Sequence, residues 1–139
     1  MIETIILCLF IQTPTPSDMS DYIACKDVEE KIQYVTEWHD VIAEYFEPED
    51  ILQAMLVVFC ESSGYANAVG TNTDGTNDVG LWQFNDNTWA WLTPKLNIKE
   101  SRSNPIVSTR IASWLVYNDG WHHWNSSKGC WYEEYIFSP

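Results

Sequence analysis

The sequence predicts an α+β protein, mostly helical, with a small antiparallel β wing beside a central helix. Three observations predict it. Apolar residues recur at three- and four-residue steps in two long stretches, 27–46 and 104–119. Between them, residues 51–60 carry no charge and are apolar on almost every side, the mark of a buried helix. Residues 62–77 hold Gly64, Gly70 and Gly75 among Asn, Asp, Ser and Thr, which rules out a long helix and favours turns and short strands.

In chain order, residues 1–17 come first as a leader. The apolar run 5–11 is followed by Thr, Pro14 and Pro16, which break any helix. This stretch reads as a signal-peptide core or as an extended arm, and Glu3 stands where a signal peptide has a basic residue. A single domain then covers 18–139. Val28, Ile32, Val35, Trp38, Ile42 and Phe46 line one helical face over 27–46, with Glu29 and Glu30 in the first turn, where the dipole favours acids. Pro48 sits near the first position of the next helix, whose C-terminal end carries Glu61. Asp74-Gly75 is a hairpin signal, and 68–69, 78–79 and 81–84 are the expected strands. A short helix over 87–92 is expected to break at Pro94. Asn104-Pro105 reads as N-cap and first residue of a further helix. Its apolar face takes Ile106 or Val107, then Ile111, Trp114 and Leu115, and Asp119-Gly120 stops it. The aromatic end, Trp121 to Tyr132, packs back on the core.

Composition excludes several classes. The net charge of −13, from 20 acids against 7 bases, lacks the basic footprint that nucleic-acid binding needs. The acids are scattered, as on a solvated surface. No apolar run reaches the ~18 residues of a membrane span. The four cysteines, Cys8, Cys25, Cys60 and Cys130, form no CxxC pair. If the leader is removed three remain, and Cys60 with Cys130 is the expected bridge. Eight tryptophans exceed what packing alone asks of so short a chain, so some are expected on a binding surface.

Two acids stand out. Glu61 follows the apolar helix, where desolvation and the negative end of the dipole raise its pKa. Asp78 follows a polar turn, where hydrogen bonds keep a carboxylate ionised. One carboxyl that protonates a leaving oxygen and one carboxylate on the other side of the sugar are what glycoside hydrolysis needs.

The motifs around them carry a resemblance. Cys60-Glu-Ser-Ser-Gly-Tyr65, Asn72-Thr-Asp-Gly-Thr-Asn-Asp78 and Gly80-Leu-Trp-Gln-Phe-Asn85 resemble the active-site stretch of the lysozyme-like superfamily, with animal (c-type) lysozymes the nearest pattern. The spacing from Glu61 to Asp78 equals that of their catalytic pair. The Glu-Ser and Gly-Leu-x-Gln pieces are shared with soluble lytic transglycosylases and with phage and bacterial wall hydrolases. Trp121-His-His-Trp124 resembles the Trp-x-x-Trp that closes the same cleft. The cysteines do not reproduce the four-bridge framework of animal lysozymes, and the chain is acidic where wall-lytic members are usually basic, so a bacterial, phage or other viral relative is the expected home.

The resemblance implies an enzyme with Glu61 as general acid and Asp78 as nucleophile or stabiliser. It also implies substrate contacts from Asn72, Gln83 and Asn85. Trp89 would supply a contact where the animal enzymes carry paired tryptophans, and Trp121 would wall Glu61. The implied reaction is muramidase cleavage of the β-1,4 bond between N-acetylmuramic acid and N-acetylglucosamine in peptidoglycan. The alternatives are a lytic transglycosylase on the same polymer, chitin as substrate, and a non-catalytic glycan-binding or virion structural protein. The implied setting is secreted or virion-associated action on the bacterial wall, as a monomer and with no cofactor. His122 and His123 match no zinc motif, and 74–78 lacks the twelve-residue calcium pattern, so no metal is expected.

Overall fold

The computed structural model describes residues 19–132. The leader, Cys8 and the side chain of Cys25 lie outside the described residues. The described chain runs through α1 (Met19–Thr36), α2 (His39–Tyr45), a 3-10 turn (Pro48–Asp50), α3 (Ile51–Ser62), three short strands, α4 (Asp86–Lys95), α5 (Pro105–Asp119), a second 3-10 stretch (Trp121–Ser127) and α6 (Lys128–Trp131). The strands β1 (Val69–Thr71), β2 (Asn77–Val79) and β3 (Phe84–Asn85) form one antiparallel sheet in sequence order. The expected α+β class, helical with a small β wing, is what the chain forms. No helix among the described residues is long and apolar enough to cross a membrane.

The core sits among α2, α3, α5 and the turn before β3. Ile42, Val57, Val58, Leu81, Trp82, Leu92 and Leu115 are fully buried. Trp82 is the pivot. It stacks on Phe46, and its indole N–H donates to Thr109 Oγ1 at 3.0 Å. Both Thr109 and Trp82 are fully buried, so this bond satisfies two polar groups that would otherwise be costly.

Several local expectations change. The single helix expected over 27–46 is two helices. Trp38 leaves the helical region at φ −92°, ψ 0°; its backbone N–H donates to Val35 O at 3.0 Å and its indole N–H to Gly64 O at 2.8 Å. A long-range bond thus anchors the side chain at the break. The helix α3 is not buried all round: Ala54, Val57 and Val58 face the core, whereas Leu52 is exposed. Pro94 does not end α4, which runs on to Lys95. It falls in the last turn, where its missing N–H removes one bond, while Leu96 N still donates to Leu92 O at 2.9 Å. Residues 81–83 form a turn instead of a strand. Gly80 and Gln83 both have positive φ, 91° and 50°, which an extended strand excludes. Of residues 81–85, only Phe84–Asn85 pairs with β2.

Gly80 carries a second constraint. A Cβ there would lie 2.3 Å from Arg102 O, so no other residue fits without moving the backbone. Arg102 itself fastens the wing. Its guanidinium donates to Asn77 O at 3.1 Å, to Phe84 O at 2.7 Å and to the Asp86 carboxylate. Asp86 also accepts from Asn77 N at 2.9 Å. These bonds hold Asp86 below the usual carboxylate range, the Asn77 bond being the largest cause.

The local helix signals are met. Asn104 Oδ1 accepts from the N–H groups of Ile106 and Val107, both at 3.1 Å. Of the two alternatives for the apolar face, Val107 is buried and Ile106 exposed. The aromatic end does pack inward, with Trp124 and Trp131 buried.

The expected Cys60–Cys130 bridge is present and closes a separation of 70 residues. It ties α6 to the last turn of α3, one residue before Glu61. A cross-link over a loop of this length stabilises by roughly 4 kcal/mol. Cys60→Ala with Cys130→Ala should therefore lose a stability of that order in urea unfolding. A loss well under 1 kcal/mol would show that α6 is held by its tryptophan contacts alone.

Candidate active site

Glu61 stands in the last turn of α3. That turn is fixed by its exit. Ser63 adopts the left-handed conformation and donates its N–H to Phe59 O at 3.1 Å. Gly64 follows at φ +83°, so close to α1 that a Cβ would meet Val35 N at 2.7 Å. The carboxyl of Glu61 is thereby aimed from a rigid helix end toward the β wing.

Asp78 sits on β2, the central strand, directly across from Asn85 on β3. This cross-strand pair explains its main partner: Asn85 Nδ2 donates to Asp78 Oδ1 at 2.8 Å. The same amide nitrogen donates to Thr76 Oγ1 at 2.9 Å. The amide oxygen caps α4 by accepting from Asn87 N at 3.0 Å. Asn85 thus locks the orientation of Asp78 to the start of a helix.

Glu61 and Asp78 line one cavity of about 190 Å³. Gln83 and Asn85 line it too, with Trp82, Phe84 and Trp124 as apolar surface and Thr88, His123 and Ser126 completing it. Burial is the largest influence on Glu61 and pushes its pKa up. The hydroxyl of Ser127 opposes this by donating to Glu61 Oε1. The negative charge of Asp78 adds a further upward push. Glu61 therefore keeps its proton to a higher pH than an ordinary carboxyl, which suits a general acid.

Four of the seven candidate residues, Glu61, Asp78, Gln83 and Asn85, share this cavity. Gln83 faces it, but its amide nitrogen donates to Ala68 O and Gly80 O, each at 3.0 Å, so that end of the group holds the wing. The other three are not among the residues that line the cavity. Asn72 is in the hairpin turn and donates to Thr76 Oγ1 at 3.2 Å. Trp89 packs against Phe84 with ring centres 5.4 Å apart. Trp121 stacks on Phe46 at 5.8 Å, and the tryptophans that line the cavity with Glu61 are Trp82 and Trp124.

Ser127 escaped the sequence reading. It lies 66 residues from Glu61 in a segment with no motif of its own. Its hydroxyl also accepts from Trp131 Nε1 at 3.1 Å, so the aromatic end presents it to Glu61. Ser127→Ala removes the bond that favours the charged carboxylate. The limb of the pH–rate profile that reports Glu61 should then move to higher pH. A shift to lower pH, or none, would show that Ser127 does not hold Glu61 in solution.

The fold and this cleft define a class: a small α+β protein that brings two carboxylates, one of them partly desolvated, to a single cavity. Residues 41–126 match the family described as lysozyme-like domain. The match spans well over half of the chain, and the protein belongs to that lysozyme-like family, one of peptidoglycan-acting enzymes. No curated protein and no solved structure matches the chain.

Proposed function

We propose that the protein is a muramidase that hydrolyses the β-1,4 bond between N-acetylmuramic acid and N-acetylglucosamine, with retention at the cleaved carbon. One observation carries this reading. Glu61, raised in pKa by burial, and Asp78, fixed by Asn85, face the same cavity. Lysozyme is the type case of such a pair.

In the first step Glu61 gives its proton to the glycosidic oxygen as the bond from that oxygen to the anomeric carbon breaks. Asp78 meets the positive charge that develops there, as nucleophile or as its electrostatic partner. In the second step the Glu61 carboxylate takes a proton from water. The water oxygen bonds to the anomeric carbon, displacing the Asp78 carboxylate where that has bonded to it, and Glu61 is protonated again. The catalytic domain of this reading covers 18–139, acts as a monomer, and reaches the wall as a secreted or virion-associated protein.

Mass spectrometry of digested peptidoglycan tests the proposal. Reducing muramic acid ends that vanish with Glu61→Gln support it. Anhydromuramic ends would make the protein a lytic transglycosylase. Binding without turnover by the wild type would sink the enzyme reading altogether and leave a glycan-binding or virion structural role.

A further inference from the structure

His122 and His123 match no zinc motif in the sequence, yet the folded chain turns both rings onto one carboxylate. The helix α5 ends at Asp119, and the chain turns at Gly120 into the 3-10 stretch. That turn brings the two imidazoles back over the helix end. His122 Nε2 lies 3.0 Å and His123 Nε2 2.8 Å from the same oxygen, Asp119 Oδ2. The rings lie side by side with centres 4.3 Å apart. One ligand atom from each of the three residues falls within 4.8 Å of the others.

We propose that Asp119, His122 and His123 form a binding site for a divalent transition-metal ion of the Zn²⁺ type at the rim of the cleft. Zinc binds imidazole nitrogen and carboxylate oxygen at about 2.0–2.2 Å. Ligand atoms around a tetrahedral ion are then roughly 3.3 Å apart, by the geometry of those bond lengths. Each imidazole nitrogen lies 2.8–3.0 Å from the carboxylate oxygen and all three atoms lie within 4.8 Å of one another, so binding an ion would require the rings to move to that spacing. Two imidazoles select zinc, cobalt, nickel or copper over magnesium and calcium, which prefer all-oxygen sites. Three protein ligands leave a fourth position open.

The surroundings support a cation. The chain carries a net charge of −13, which raises the local concentration of cations. Lys95 shares a surface depression with Asp119, but its ammonium is engaged over the rings of Trp91 and Trp114, at 5.2 and 5.8 Å from their centres. His123 also lines the cavity that holds Glu61 and Asp78. An ion at this site therefore borders the cleft without using either acid as a ligand.

Zn²⁺ titration of the full chain by calorimetry at neutral pH tests the site, with His122→Gln, His123→Gln, the double variant, Asp119→Asn and Glu61→Gln alongside. One ion should bind saturably. Each single ligand change should weaken binding by about tenfold or more, a loss on the scale of disturbed metal shells, and the double variant should not bind. Glu61→Gln should bind as the wild type does, which separates this site from the proposed reaction. Unchanged affinity in the double variant would place the ion elsewhere on the chain and overturn the proposal. So would the absence of saturable uptake by the folded wild type.

Discussion

Glu61→Gln is expected to remove turnover of peptidoglycan, lowering the rate by about 10²–10⁴-fold, the share a positioned general acid supplies. The amide keeps the size of the carboxyl and can still accept from the Ser127 hydroxyl, so the cavity keeps its shape. What it loses is the proton. The same variant should be more stable than the wild type at neutral pH. The sign follows from the direction of the shift. Burial raises the folded pKa of Glu61 above its unfolded value. Its contribution to stability is then full below the unfolded pKa and is lost as pH rises through the folded pKa. Gln, which carries no charge, avoids that loss. Urea unfolding at two pH values, one below and one above the carboxylate range, should show the gap between variant and wild type widening at the higher pH. An inactive variant that is also less stable at neutral pH would point to a damaged fold instead of missing chemistry.

Asp78→Asn is expected to cost hydrolysis about 10²-fold or more, because a fixed negative charge beside the developing cation is lost. The side chain retains an oxygen for the Asn85 amide, so the register of β2 and β3 should survive. The size of the effect reports the reaction type. A lytic transglycosylase lets the sugar's own acetamido group do this work, and there the same change should cost less than about tenfold, with no nucleophile to lose. Rates measured alongside the chemistry of the product ends decide the matter. Reducing ends with a mild loss would mean that Asp78 is a strand residue that serves Asn85 and the sheet.

The site was only partly legible beforehand. Glu61 and Asp78 could be picked out because each lies in a distinctive local setting, an apolar helix end and a polar turn. The capping of α5 by Asn104 and Pro105 was legible for the same reason, since a cap is made within three residues. The motif points to Trp121 as the wall of Glu61, whereas Trp82 and Trp124 line the cavity. Eight tryptophans in one short chain give many plausible packings, and only three-dimensional neighbours choose among them. The strand expected over 81–84 failed because alternation cannot show that Gly80 and Gln83 turn the backbone to positive φ.

The sequence by itself determined the helical frame, the short β wing and the two carboxyls, whereas the pairing of Cys60 with Cys130, 70 residues apart, was decided by the fold. Those features depend on residues close in the chain, on composition, or on motifs that persist as short words. The tertiary structure alone decided what surrounds the carboxyls. Ser127 reaches Glu61 across 66 residues, Arg102 fastens a wing to which it does not belong, and Trp38, at a helix break, bonds Gly64. Each contact joins elements whose relative placement is set by burying the Trp82 core, and no local pattern encodes that geometry.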